Sequence, residues 1–113
     1  MLEEKTNAMY MRLKMDDVGV FNEARQRGDV ADLCNAKFRA FDLRAANLAG
    51  LDLSGCHFKN ADLRGVDLRG CNLEGCSFFN AKISGTYSPS SISAEEINLS
   101  LLHGTRIRMG AKS

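Results

Sequence analysis

A large apolar residue recurs at every fifth position between Ala31 and Gly85. The eleven residues at that position are Leu33, Phe38, Leu43, Leu48, Leu53, Phe58, Leu63, Leu68, Leu73, Phe78 and Ile83. An α-helix requires an apolar spacing of about 3.6 residues and a flat strand a spacing of about 2, so a spacing of five fits neither. It fits a chain that turns a corner in every five-residue unit and points two side chains inward.

A second period indicates how many corners close one coil. Phe38, Phe58 and Phe78 are each 20 residues apart, and so are Cys56 and Cys76. This spacing equals four units, which predicts a coil with four short sides and a stack of Phe rings between coils. The last position of each unit is Gly or Asn in nine of eleven units, as expected where the backbone must turn, because these residues tolerate left-handed conformations.

Three units show the full sequence pattern of the repeat: Ala46-Asn47-Leu48, Ala61-Asp62-Leu63-Arg64-Gly65 and Cys71-Asn72-Leu73-Glu74-Gly75. They resemble the pentapeptide-repeat family, whose pattern is Ala-Asp/Asn-Leu-x-x. The resemblance covers residues 31–85 and departs from the pattern at the second position of four units, Lys37, His57, Ser77 and Lys82. It implies an all-β solenoid, a right-handed quadrilateral β-helix of just under three coils. The family is functionally mixed, so the resemblance implies a fold and not an activity.

The sequence divides into an N-terminal arm and capping helix (1–30), the β-helix (31–85) and a C-terminal loop, helix and basic tail (86–113). Apolar and polar residues alternate over residues 9–15, which predicts a strand. This strand either covers the first coil of its own chain or is donated to a second chain. Asp16-Asp17 then offers an N-cap for a helix over 18–27 that ends at Gly28 and caps the coil.

A capping box, Ser93-Ala94-Glu95-Glu96, predicts a second capping helix that runs to about His103 and ends at Gly104. Its apolar face has two alternative uses. Either it covers the last coil, or it meets the same helix of a second chain. The resemblance favours a homodimer, since family members often dimerise through the C-terminal end. The candidate dimer interface consists of Ile97, Leu101 and Leu102.

Catalytic and metal-binding patterns are absent from the sequence. It contains no nucleophile–base pairing, no glycine-rich phosphate loop and no Cys/His spacing typical of a metal site. We therefore expect no enzyme activity, no catalytic residue, no cofactor and no metal. Cys56, Cys71 and Cys76 occupy small inward positions, where reduced thiols act as small apolar groups. With no apolar run of 18 residues and no secretory h-region, the expected location is cytoplasmic, away from membranes.

The side of the coil that holds the Phe stack predicts a partner surface. Its outward residues include Lys37, Arg39, His57, Lys59 and Phe79, and no acidic residue. The alternative is a solvated face, with Phe79 covered by the C-terminal segment. Nucleic acid is an improbable partner because the net charge of the whole chain is only +1.

These features predict a non-catalytic protein–protein interaction or scaffold module with an unidentified protein partner. Two alternatives remain open. By family analogy the chain is a regulator of DNA gyrase or another topoisomerase, although its short length and near-neutral charge disfavour this role. The other alternative is a structural subunit of a larger assembly.

Overall fold

A computed structural model describes residues 5–109 of the chain. The described residues form three helices, α1 (Ala8–Lys14), α2 (Val18–Arg27) and α3 (Ala94–His103). The repeat lies between α2 and α3 and forms a coil, so that one helical cap precedes it and another follows it. Residues 1–4 of the predicted arm and 110–113 of the predicted basic tail lie outside the described residues.

Successive coils are joined by parallel β-bridges between residues 20 apart. A turn closes each five-residue unit, so four turns separate two bridged residues. The bridges join Lys37 to His57, His57 to Ser77, Asp42 to Asp62, Asp62 to Lys82, Asp52 to Asn72 and Asp67 to Tyr87. Between residues 5 and 109 the bridges are isolated and build no longer strand, because a corner interrupts every side after a few residues.

The corners are turns whose third residue has a positive φ. At one of them the Ala46 N–H donates to the Leu43 carbonyl at 3.0 Å. Ala45, the third residue of this turn, has a φ of 68°. Ala40 adopts a φ of 64° at the preceding corner. A positive φ at this turn position favours Gly or Asn, so these two alanines hold a conformation that is costly for them.

The second position of the unit stabilises the turn that follows it. The Asp62 Oδ1 atom accepts a hydrogen bond from the Arg64 N–H at 3.2 Å, and Asn72 Oδ1 accepts one from the Glu74 N–H at 3.0 Å. The same bond forms in the units that begin at positions 41, 51 and 66. Asp and Asn bond to the backbone two residues ahead in this way, which explains their frequency at this position.

The core of the coil is a column of Leu and Phe side chains. The Phe38 and Phe58 rings stack at a centroid distance of 5.2 Å, and the Phe58 and Phe78 rings at 5.0 Å. Tyr10 of α1 and Phe41 add two further aromatic rings at the N-terminal end of this stack. The bulky Phe41, which departs from the small residues usual at its position, therefore packs between the coil and the N-terminal cap.

The inward cysteines are buried thiols that donate hydrogen bonds to the preceding coil. Cys56 Sγ lies 2.9 Å from the Leu33 carbonyl oxygen, and Cys76 Sγ lies 2.9 Å from that of Leu53. Cys71 makes the same contact, and Thr86 makes it with its hydroxyl. All four cysteines are free, and burial raises the pKa of Cys56 to about 12. Each buried thiol therefore fills space in the core and also donates a hydrogen bond to a carbonyl oxygen of the preceding coil.

The prediction of a strand over residues 9–15 is wrong, because these residues belong to helix α1. Asn7 caps the helix by accepting a hydrogen bond from the Tyr10 N–H at 2.9 Å. Met9, Tyr10 and Leu13 are buried on one helical face, whereas Met15 is 65% exposed. The apolar residues that contact the core thus follow a helical spacing, and the alternation of the methionines is incidental.

Helices α1 and α2 cover the first coil and donate hydrogen bonds to its free carbonyl groups. The Tyr10 hydroxyl donates to the Lys37 carbonyl at 2.6 Å. Asn22 donates to the Ala45 carbonyl, and Arg25 donates to those of Asn47 and Ala49. Helix α2 has the predicted bounds and ends at Gly28, whereas its N-cap residue, Asp17, makes no side-chain capping bond.

The C-terminal segment covers the last coil in a corresponding way. Ser100 of α3 is fully buried, and its hydroxyl accepts a hydrogen bond from the Phe78 N–H at 2.8 Å. The carbonyl of Leu101 accepts one from the Asn80 N–H, and that of Ile107 accepts one from the Gly75 N–H. Backbone N–H groups that would otherwise face a further coil are thereby paired.

Candidate protein-interaction surface

The five residues of the predicted partner surface, Lys37, Arg39, His57, Lys59 and Phe79, lie on one side of the coil, here called the basic face. The bridges that join Lys37 to His57 and His57 to Ser77 align the second positions of three coils. Arg39, Lys59 and Phe79 follow at the fourth positions of the same units. Because second and fourth positions flank the buried third residue, both sets of side chains point away from the core.

The cations of the basic face lack ion-pair partners among residues 5–109. Residues 31–85 contain seven Lys and Arg residues, of which Arg44, Arg64 and Arg69 form ion pairs with Asp. The four without an ion pair are Lys37, Arg39, Lys59 and Lys82. Three of these four are on the basic face, which concentrates uncompensated positive charge on one side of the coil.

On the neighbouring side the Asp and Arg side chains pair with one another, whereas Lys82 has no ion pair among residues 5–109. Arg44 lies 2.8 Å from Asp42 and 3.3 Å from Asp62 of the next coil, and Arg64 lies 2.6 Å from Asp62. The hydrogen bonds from Arg64, with the charge of Arg44, hold the pKa of the Asp62 carboxyl well below its usual range. Apart from Lys82, this side is therefore a ladder of alternating charge with little net attraction for a charged partner.

His57 is half-buried at the centre of the basic face. Its pKa is lowered by burial and by the positive charges of Arg106, Lys59 and Lys37. The pKa of an unperturbed imidazole is about 6.5, so His57 is mostly neutral at neutral pH. The positive charge of this face at that pH therefore comes from Lys and Arg.

Arg106 is a member of this surface that the sequence analysis missed. Its guanidinium donates a hydrogen bond to the Gly75 carbonyl at 2.8 Å, which holds the exposed side chain near His57. Arg106 lies beyond α3 and outside the five-residue period, so no sequence spacing places it beside the coil. With Arg106 the basic face carries four cations.

Phe79 is 37% exposed, so the C-terminal segment covers it only in part, and its role as a partner contact stays a prediction. The C-terminal segment covers one edge of the side chain, since a Cβ placed on Gly104 would lie 3.4 Å from Phe79 Cβ. The Lys59 ammonium lies 5.7 Å from the ring centroid on the open side, a cation–π distance. The ring thus presents an apolar surface beside the cations.

The three residues of the predicted dimer interface on α3 are placed differently. Ile97 and Leu101 are partly buried and pack against the core of their own chain. Ile97 also lines a small apolar cavity of about 20 Å³ beneath the helix. Leu102 is 70% exposed, and Leu99, which the sequence analysis did not select, is 44% exposed. Self-association through α3 stays a prediction that Leu102 alone of the three now supports.

The described residues lack the groups that a metal centre or a membrane-spanning helix requires. Residues 5–109 contain no group of three or more His, Cys, Asp or Glu side chains that could hold a metal ion. Over the same residues, none of the helices has the length and apolar character needed to cross a bilayer. The buried thiols have raised pKa values because of desolvation, which makes them poor nucleophiles.

A comparison with protein families finds one match. The family described as pentapeptide repeats matches residues 31–65 and 56–87, with 8 copies of the repeat. The two segments overlap and together span residues 31–87, half of the 113-residue chain. The searches of curated proteins and of solved structures returned no match.

Proposed function

The chain belongs to the pentapeptide-repeat family, and from that premise we propose that it is a non-catalytic interaction module that binds a protein partner through the basic face. The family implies a right-handed quadrilateral β-helix. Parallel bridges at a spacing of 20 residues and four turns in each coil support this fold. The proposed place of action is the cytoplasm, where free thiols such as Cys34 remain reduced.

The distribution of ion pairs is the observation that carries this proposal. Arg44, Arg64 and Arg69 are neutralised by carboxylates of their own or the next coil. Lys37, Arg39 and Lys59 are not, although the same repeat supplies acidic residues at equivalent positions on other sides. Phe79 and Arg39 are of the residue types enriched at protein contact surfaces, and the unpaired charges beside them favour a partner of opposite charge.

The absence of catalysis is part of the proposal and is supported by the shape of the coil. An active site requires convergent polar groups in a concave site. The interior is filled by Leu and Phe, and the cavity beneath α3 is lined mainly by apolar residues such as Leu73 and Ile83. The outward residues of each side instead form a row, which is suited to contact with an extended surface of a partner.

The test is affinity capture from an extract of the cells that make the protein, with three forms of the full chain as bait. We expect the wild type and Lys82→Glu to retain the same partner and the double variant Arg39→Glu/Lys59→Glu to lose it. Lys82→Glu is the matched control because Lys82 also lacks an ion pair but lies on the adjacent side. Equal melting temperatures exclude misfolding. Retention of every partner by the double variant contradicts the proposal.

A further inference from the structure

We infer that the basic face binds an acidic segment of a partner protein, whose carboxylates contact Lys37, Arg39, Lys59 and Arg106 while an apolar side chain covers Phe79. The inference rests on the proposed function and adds the chemistry of the partner. It also assigns a role to Arg106, which lies outside the repeat.

The cations of the basic face repel one another. Side chains on adjacent coils are separated by about 4.8 Å in the stacking direction, so Arg39 and Lys59 are neighbours without a carboxylate between them. Arg106 is fixed beside the same face by its bond to the Gly75 carbonyl. Like charges at such distances raise the free energy of the unbound protein. An anionic partner relieves this repulsion, which favours binding in addition to the direct contacts.

The number of cations and the presence of Phe79 favour a protein segment over a nucleic acid. Phosphate binding grows with the number of cations that the protein presents along the polymer. Here the face presents four cations, of which Lys59 lies beside the Phe79 ring, and the net charge of the chain is +1, so attraction to a polyanion over long distances is weak. Phe79 packs against Gly104 and exposes the remainder of its ring. A segment that alternates carboxylates with an apolar residue satisfies both the cations and the ring.

His57 provides an internal reporter for such an anion. The groups that act on it are Lys37 and Lys59 from the coil and Arg106 from the C-terminal segment, and all three lower its pKa. Ser77, the next residue in its stack, is buried and bonded to the Gly104 carbonyl. Burial is the largest cause of the lowered pKa of His57, followed by these cations. A carboxylate in contact with the imidazole favours its charged form, so we expect the pKa of His57 to rise and a proton to be taken up on binding.

The sign of the resulting pH dependence follows from this rise. The imidazolium form is favoured in the complex, so the affinity gain is fully present below the pKa of the free protein. It is lost as the pH rises through the pKa of the complex. Binding of an acidic segment is therefore tighter near pH 5 than near pH 8. A His57→Gln variant removes this difference and keeps the Lys and Arg contacts.

The experiment measures fluorescence anisotropy of three labelled probes with the full-length protein. The first probe is a peptide of alternating Asp or Glu with one Leu, the second is its Asn/Gln counterpart, and the third is a single-stranded oligonucleotide of equal charge. We expect binding of the acidic peptide only. Arg39→Glu/Lys59→Glu weakens binding by about tenfold or more, since opposed charges are replaced by like charges. Lys82→Glu leaves it unchanged within about twofold, as expected for a charge on another side.

An independent readout is the titration of His57 followed by nuclear magnetic resonance. The acidic peptide raises the pKa of His57, and the Asn/Gln peptide does not. Tighter binding of the oligonucleotide, equal binding of both peptides, or an unchanged His57 titration each overturns the inference. If the cellular partner is lost with the double variant while the acidic peptide does not bind, the proposed function stands and this inference falls.

Discussion

Replacing Ala40 or Ala45 with glycine should raise the free energy of unfolding by about 0.5–1 kcal/mol for each change. Both residues occupy corners with φ near 64° and 68°, where an L-residue costs about 1–2 kcal/mol. Glycine removes that cost, but it restores about 0.4–1 kcal/mol of freedom to the unfolded chain. Both side chains are exposed, so their removal takes no contact from the core, and the difference between the two effects remains as stabilisation.

Thermal and urea unfolding of the full-length chain measure this gain. For a domain of this size, 1 kcal/mol corresponds to a rise in melting temperature of about 4 °C. The matched control is Ala49→Gly, which makes the same change at the turn residue before Gly50, where φ is not positive. This control should lower stability, because glycine relieves no backbone strain there, adds its entropic cost and removes the contacts of the partly buried Ala49 side chain.

Asparagine variants at the same two corners separate backbone strain from side-chain bonding. Asn80 Nδ2 donates to Asn60 Oδ1 at 2.7 Å at the corner above Ala40. Ala40→Asn extends this amide ladder, whereas Ala45→Asn lies below Gly65 and gains no such bond. Ala40→Asn should therefore stabilise the fold more than Ala45→Asn does. If both glycine variants lower stability as much as Ala49→Gly does, the strain argument is refuted.

Two further predictions concern the Phe stack and the charge ladder. Phe58→Leu should lower the free energy of unfolding more than Phe78→Leu does, as measured by chemical denaturation. Phe58 stacks on two rings and Phe78 on one, and each stacked pair contributes about 0.5–1.5 kcal/mol. Equal losses for the two variants would contradict this prediction. Lowering the pH from 6 towards 2 should lower the melting temperature. The pKa of Asp62 is held down by Arg64 and Arg44, so its stabilising effect is present above the unfolded value of about 3.9 and is lost as the pH falls. Asp62→Asn should show a smaller loss over this range, and parallel curves for the two proteins would argue against the ion-pair explanation.

The parts of the fold that follow local rules could be predicted from the sequence. Helices α2 and α3 have the predicted extents, because the signals that end them, Gly28 and Gly104, are residues that adopt a positive φ at helix ends. The 20-residue spacing of bridged residues could be predicted from Phe38, Phe58 and Phe78. These residues occupy the buried third position of units that lie one coil apart. Each of these signals lies within or next to the element that it specifies.

Helix α1 could not be predicted in the same way. Four apolar residues at alternating positions favour a strand, and nothing in the sequence distinguishes the exposed Met15 from the buried Met9 and Leu13. Which of them faces the core depends on how α1 lies on the first coil, where the Tyr10 hydroxyl bonds to the Lys37 carbonyl. This is a tertiary contact between residues 27 apart.

The candidate surface was predicted in outline, and the missing parts depend on the return of the chain after α3. Lys37, Arg39, His57 and Lys59 follow from counting in units. Arg106 reaches the same side because the backbone of Ile107 pairs with Gly75 and Cys76 and the Arg106 guanidinium bonds to the Gly75 carbonyl. The partial cover of Phe79 by Gly104 and the burial of Ser77 have the same origin. No local pattern encodes where a segment outside the repeat comes to rest.

Because one coil contains 20 residues, the number of residues between two positions decides whether both lie on the basic face. Lys37 and His57, like Arg39, Lys59 and Phe79, share a side because whole coils separate them. An insertion of one full coil after Asn60 lengthens the protein and leaves the face aligned. An insertion of a single unit at the same point moves Phe79 and the entire C-terminal cap to the next side. Length can therefore change in steps of four units without loss of the surface, while single-unit steps divide it.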